Sequence, residues 1–261
     1  MPMTYKEMQQ TLMEELRLYH YPVAVHYFFD DEDLARFKDE VEFCVPVKPM
    51  TFCQWEIAAR MKGQTVLGTR ETLGCSNALV SFGWKDIDEN EIKSHAKYCR
   101  DLEQAERFVR SKHRLPLGSL RAIAVGPLAA ATLPPSTVHF YCDNMQAYHL
   151  CVDYMAAMDQ HPLRTNITMN SSACGGNVYS YVEKSANLLP ACSGSYNAGK
   201  TERGEINFVL QGEALEPTVE RLLARKRDLG SSAITRPGDH FPGADVCKNC
   251  PLIVFKKTAA A

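Results

Sequence analysis

The sequence predicts an α+β fold, a mixed sheet or sheets with flanking helices, and three observations carry that prediction. Some segments repeat apolar residues at helical spacing, as Met8, Leu12 and Leu16 do. Others are short β-branched and aromatic runs, such as "PVAVHYFF" at residues 22–29. No internal repeat organises the two kinds. With 261 residues, 45% of them hydrophobic, the chain is long enough to bury a substantial core.

Taken in order, residues 4–19 predict a first helix and residues 22–29 a buried strand. Residues 30–38 predict a short helix with an acidic cap, and 42–50 a loop punctuated by prolines. A helix over 51–61 is signalled by Thr51 with Gln54 three residues on, a capping-box pattern. A short strand at 65–67 follows, then a turn at 74–77 into an apolar segment ending at Trp84. Residues 88–109 predict mostly helix with a break near Tyr98. Strands at 120–125 and 138–142 flank a proline-rich loop, and Asp143 with Gln146 caps a helix to about 158. Residues 164–169 predict a strand, as do "ANLL" before Pro190 and residues 205–210. Pro217, tolerated in a first turn, opens a helix to 227. The last thirty residues are rich in glycine and proline.

Charge and hydropathy exclude some functions. The net charge is −2, from 29 basic and 31 acidic side chains, which gives no footprint for nucleic acid. No basic block addresses an acidic lipid surface. The longest apolar run, 122–133, is interrupted by Gly126 and Pro127 and is about half the roughly 20 residues a membrane span needs. Residues 1–20 are amphipathic and charged, without an apolar signal core. The expectation is a cytoplasmic protein with one α+β domain over 1–258, any subdomain boundary falling near 111–118. Residues 259–261 read as a cloning scar.

Ten cysteines in a reducing compartment read as core thiols, metal ligands or reactive thiols rather than disulfides. Cys247-Lys248-Asn249-Cys250-Pro251 is the sharpest local signal, because two thiolates three apart face one metal or cluster and proline ends the turn. One such pair is half of a tetrahedral set. Four further cysteines share another setting, each beside backbone amides at a helix start or next to glycine. These are Cys53, Cys75, Cys174 in "SSACGGN" and Cys192 in "LPACSGS". Such amides stabilise thiolates and cluster sulfides, and glycine lets a bulky group approach the backbone. Cys44 is a candidate extra ligand for the tail pair. Cys142 and Cys151 read as core, and Cys99 lacks the setting.

Other motifs say less. His26, His139 and His149 show no zinc-binding spacing, and Pro251 excludes covalent haem attachment at the C-x-x-C. Haem held without a covalent bond, by a histidine such as His26, stays open. Gly194 to Thr201 has phosphate-loop spacing, but the following residues predict a strand rather than the helix such a loop must open. Ser193, Gly194 and Lys200 are instead candidates for an anion-friendly turn cradling a carboxylate or the cluster.

In their order along the chain, "CQWEIAARMKGQ" from Cys53, "LGCSNALVSFG" from Leu73, "AIAVGPLAAATLPPSTVHFYCDNMQAYHL" from Ala122 and "LPACSGSYNAGKTERGE" from Leu189 resemble the uncharacterised ArCR-type family, domain of unknown function 169. The resemblance runs from Pro22 to Gly212. It implies cysteines at the positions of Cys53, Cys75, Cys174 and Cys192, makes the tail pair a subgroup addition, and implies no reaction. An arginine common after the fourth cysteine in that family is Tyr196 here.

The resulting expectation is an iron–sulfur protein, of the 4Fe–4S type, in redox or cofactor-related chemistry; if it is an enzyme, it is an iron–sulfur oxidoreductase. Cys53, Cys75, Cys174 and Cys192 hold the centre, with Cys247 and Cys250 adding ligands or a second site. A small-molecule substrate or an electron-transfer partner follows from that, and a homo-oligomer is left open. The alternatives are a zinc- or redox-sensing binding module and a haem protein.

Overall fold

A computed structural model describes residues 2–197 and 200–229. The first half runs α1 (Tyr5–Glu15), β1 (Val23–Phe28), α2 (Asp31–Glu40), α3 (Phe52–Lys62), β2 (Val66–Gly68), α4 (Ser76–Ser81), α5 (Glu89–His95) and α6 (Leu102–Ser111). The second runs β3 (Ala122–Pro127), β4 (Thr137–Cys142), α7 (Asn144–Met158), α8 (Ser172–Glu183), β5 (Asn187–Pro190), α9 (Ser193–Tyr196), β6 (Ile206–Gln211) and α10 (Leu215–Leu229). The class is α+β, as the sequence predicts. The strands form one sheet in the order β2-β3-β1-β4-β6-β5. Every pairing between named strands is antiparallel, and parallel contact is confined to the bridges Cys44–Val66 and Met50–Leu73. Strands from either side of residues 111–118 interleave in this sheet.

Alternation along the strands divides the interior in two. Val138, Phe140 and Cys142 of β4 and Phe208 and Leu210 of β6 face an apolar layer. It is built from Met8 and Leu12 of α1 with Leu16 at its C-cap, Leu150 and Tyr154 of α7, and Val219 and Leu222 of α10. Val23 and Val25 of β1 and Ile123 and Val125 of β3 face the other way, toward Phe52 and Trp55 of α3, Ala78 of α4, and Ala173 and Val178 of α8.

Local chemistry fixes the helix starts. Thr4, Thr51 and Asp143 each make the full capping box, with Glu7, Gln54 and Gln146. α3 stops at Gly63, whose φ of 67° is the left-handed conformation of a helix end.

One expectation fails locally, and one helix lies where the sequence predicts no element. Residues 164–169 form no strand: the Asn187 side chain occupies their backbone, accepting from the Asn166 amide (2.8 Å) and donating to its carbonyl (3.3 Å). The segment 172–183, whose serines and paired glycines argue against helix, is the twelve-residue α8. A Cβ on Gly176 would lie 3.1 Å from Leu189 Cδ2, so glycine is what lets α8 lie close over β5. No helix among the described residues is long and apolar enough to cross a membrane.

Candidate functional site

Four of the predicted cysteines converge. Cys53 sits in the first turn of α3, Cys75 is the N-cap of α4, Cys174 lies in the first turn of α8, and Cys192 is the N-cap of α9. All four line one cavity of about 650 Å³, together with Ser193, Gly194 and Lys200. That volume falls within the roughly 300–1,000 Å³ of ordinary small-molecule sites. A second cavity, about 790 Å³ near Met3 and Glu216, has no cysteine or histidine in its lining. Cys247 and Cys250 lie outside the described residues.

The thiols feel one another. Burial pushes Cys174 well above the usual thiol range, and charge on Cys75, Cys53 or Cys192 would push it further. Burial also raises Cys53, with Glu56, Cys192 and Cys75 adding to the effect. Cys192 goes the other way. Burial opposes its ionisation, but the Ser172 hydroxyl and the amides of Ser172, Ser195 and Ser171 all donate to the sulfur, and its pKa is lowered. Ser171 has φ of 64°, a left-handed turn that costs an ordinary residue roughly 1–2 kcal/mol. Successive amides turned this way form an anion-binding concavity.

One turn behind the cysteines lies a fully buried polar network that the sequence does not announce. Glu56, three residues after Cys53, accepts from His139 Nδ1 at 2.6 Å and from the Tyr141 hydroxyl at 2.5 Å. His139 Nε2 faces Asn207 Oδ1 at 2.9 Å, so the ring is held at both nitrogens, between Glu56 and Asn207. Asn177, three residues after Cys174, donates to the Ala173 carbonyl (2.8 Å) and accepts from Thr137 Oγ1 (2.6 Å); its amide also approaches Glu56 Oε1 (3.4 Å). Helices α3 and α8 are thus joined through β4, each one turn past its cysteine. Arg60 stacks on the Tyr141 ring, 3.9 Å from its centroid, and pairs with Glu205 at 2.7 Å. The only sequence trace of this network is polar residues at alternate positions of β4, Thr137, His139 and Tyr141, inside a strand buried throughout.

A second support holds Cys75. Ser76, the next residue, donates to Glu91 Oε2 at 2.6 Å. Asn77 Oδ1 accepts from the buried Lys112 ammonium at 3.2 Å, and Lys112 also donates to His95 Nε2 at 3.0 Å. His95 Nδ1 stands 2.6 Å from the Glu91 carbonyl, and its Nε2 is 3.0 Å from Asn77 Oδ1 as well as from Lys112. Among the described residues no carboxylate lies within ion-pair distance of Lys112. Burial lowers its pKa, and charge on Cys174, Glu91, Cys75 and Cys192 works against that.

The spacing of the donors bears on what they could hold. Among the described residues, no three or more His, Cys, Asp or Glu side chains stand close enough to share a single metal ion. One zinc, with sulfurs about 2.3 Å away, needs its donors nearly touching. A cluster spreads its four cysteines over different irons around a larger body, and four thiols around a cavity suit that demand. The other candidates lie elsewhere. Cys44 is exposed, donates to the Thr65 carbonyl at 3.3 Å and lines a separate cavity. Cys142 is core and Cys151 packs against it. His26 lies against Phe28 and Phe37 beside a void of about 10 Å³, too small to admit a haem, and burial lowers its pKa to about 4. Lys200 and Thr201 lead to β6 and not to a helix, as the phosphate-loop test anticipates.

Residues 11–221 match the family described as Uncharacterised ArCR, domain of unknown function 169. The match contains all four converging cysteines and the Glu56 network, and stops before Cys247. No curated protein and no solved structure matches the chain.

Proposed function

Since the chain belongs to the Uncharacterised ArCR family, whose description assigns no activity, we propose a function from the site itself: an iron–sulfur protein of the four-iron type working beside a small-molecule cavity. The observation that carries this reading is the arrival of four thiols, from segments as far apart as Cys53 and Cys192, around one cavity. Cys53, Cys75, Cys174 and Cys192 would hold the cluster, and a cluster so bound supplies one-electron exchange. If all four ionised without a cation, they would repel one another in a buried place.

The chain's own residues have definite tasks in this reading. Amides of Ser171, Ser172 and Ser195 stabilise Cys192 as thiolate. Lys112 sets a positive charge behind Cys75 and Cys174 without offering them a rival carboxylate. Glu56, His139 and Asn177 fix the spacing of Cys53 and Cys174. Redox or cofactor-related chemistry on a molecule in the cavity is the activity, with the rest of the 650 Å³ as its seat. Cys247 and Cys250 are further ligands or a second site.

Protein purified without oxygen should contain iron and acid-labile sulfide in near-equal amounts and absorb broadly near the blue edge of the visible. Cys174→Ser should lose most of both, and Cys247→Ser/Cys250→Ser should tell whether the tail contributes. Wild-type protein with neither iron nor sulfide would sink the reading. A redox-sensing thiol site is the second reading, favoured by Cys192 being turned toward thiolate while burial raises Cys53 and Cys174. It predicts colourless protein whose free thiols fall by two on mild oxidation and return with reductant.

A further inference from the structure

The cavity has a chemical bias that the cysteines do not account for. Asp and Glu make up 31 of the 261 residues, yet among the described residues none lines this cavity. Its cations come from two separate stretches of chain: Lys97 from the turn after α5, and Lys200 from the loop after α9. Lys97 is exposed and, among the described residues, lies against the face of Tyr98, 5.1 Å from the ring centroid. Lys200 Nζ has a long bond to the Gly194 carbonyl at 3.4 Å. Neither forms an ion pair among the described residues, whereas Lys85, Lys93 and Lys226 elsewhere all do.

The two stretches meet where Tyr98 and Ser193 hydroxyls approach to 3.1 Å. Around them the lining is hydroxyl and amide: Ser193, Asn197 and Asn170 offer donors and no fixed negative charge. Lys112, in contrast, is buried behind Cys75, so the charge of a centre on the cysteines has its own counter-cation. Two lysines over the same cavity, without an ion pair among the described residues, are available to a different anion.

We propose that this mouth is an oxyanion subsite: the small molecule treated at the cysteines carries a carboxylate or phosphate group, held between Lys97 and Lys200. The proposal deepens the cluster reading and rests on it for the identity of the ligand as substrate. The pair of lysines binds the charged end, and the Ser193 and Asn197 side chains donate to it. The body of the ligand then points down the cavity toward Cys53 and Cys192.

The test is thermal unfolding of the full chain, purified without oxygen, against inorganic phosphate and against malonate, with potassium chloride holding ionic strength constant. Ligand that binds only the folded state raises the midpoint in a saturable way. At least one of the two anions should do so, and which one separates phosphate from carboxylate. The concentration for half the effect should rise tenfold or more in Lys97→Met/Lys200→Met. No saturable rise with either anion, or an unchanged response in the double variant, overturns the subsite. Iron and sulfide are measured on the same samples. Anion response without iron keeps the subsite and removes the cluster reading; iron without response does the reverse.

Discussion

The two faces of β4 are built on opposite principles. On one face, β4 presents Val138, Phe140 and Cys142 to a dry layer made by α1, α7 and α10. On the other, the same strand presents Thr137, His139 and Tyr141, all buried, to a glutamate and an asparagine on α3 and α8. A dry face needs only size and shape, and tolerates exchange among apolar residues of similar volume. A buried polar face needs every donor matched, so each of its residues depends on the others. All four converging cysteines line the cavity on the polar side. The stricter face is where the chemistry is expected.

Paired variants can break or sharpen that contrast. The largest effects come from the two interiors themselves. Glu56→Leu leaves His139 Nδ1 and the Tyr141 hydroxyl without their shared acceptor and should cost about 2–5 kcal/mol in urea unfolding. Phe208→Ala, on the dry face, should cost a similar ~3–5 kcal/mol through the cavity it leaves. The contrast lies in the second readout: Glu56→Leu should also lower iron and sulfide per chain, and Phe208→Ala should not. Equal losses of iron in both would dissolve the distinction between the faces.

A smaller effect is confined to acid. Burial raises the Glu205 carboxyl, but bonds from His20, Arg60 and the Glu202 amide outweigh it and leave the pKa at about 2, below its ordinary 4.5. A depressed carboxylate contributes its stability above the unfolded value and loses it as pH falls through the folded one. Stability should therefore decline between pH 4.5 and about 2. Glu205→Gln should flatten that decline while lowering stability at neutral pH. A variant with the wild-type pH profile would show that the Arg60–Glu205 pair contributes nothing.

The smallest effects are at the caps. Thr4→Ala and Thr51→Ala each remove a capping box and should cost about 1 kcal/mol. Only Thr51→Ala should alter the visible spectrum, because Cys53 is two residues on, whereas Thr4 caps a helix of the dry face.

How much of this was legible follows the same division. Apolar periodicity and capping boxes locate α1, α3 and α7 and the strands around them, because those signals are local. The cysteines were legible for the same reason, through glycines and helix starts beside them. α8 was not, because Gly175 and Gly176 lower helix propensity, and the close approach of Gly176 to Leu189 is visible only in the packing. The strand expected at 164–169 was lost to a side chain, Asn187, that satisfies the Asn166 backbone from 21 residues away. Glu56, His139 and Asn177 are far apart in sequence and meet only once sheet register and helix placement are set. No spacing along the chain encodes that meeting.

The equal spacing of Cys53 to Glu56 and of Cys174 to Asn177 has a mechanical consequence. These two sulfurs ride on helices of eleven and twelve residues, tied together one turn behind. Cys75 is braced through Ser76 and Asn77 to Glu91 and Lys112, but Cys192 begins a helix of only four residues, too short to hold itself together in isolation. The set of thiols therefore has a stiff side and one compliant member, like a vice with one jaw fixed to the bench. Amide exchange should be slow along α3 and α8 and fast along α9, and the geometry of the site can adjust only from the compliant side.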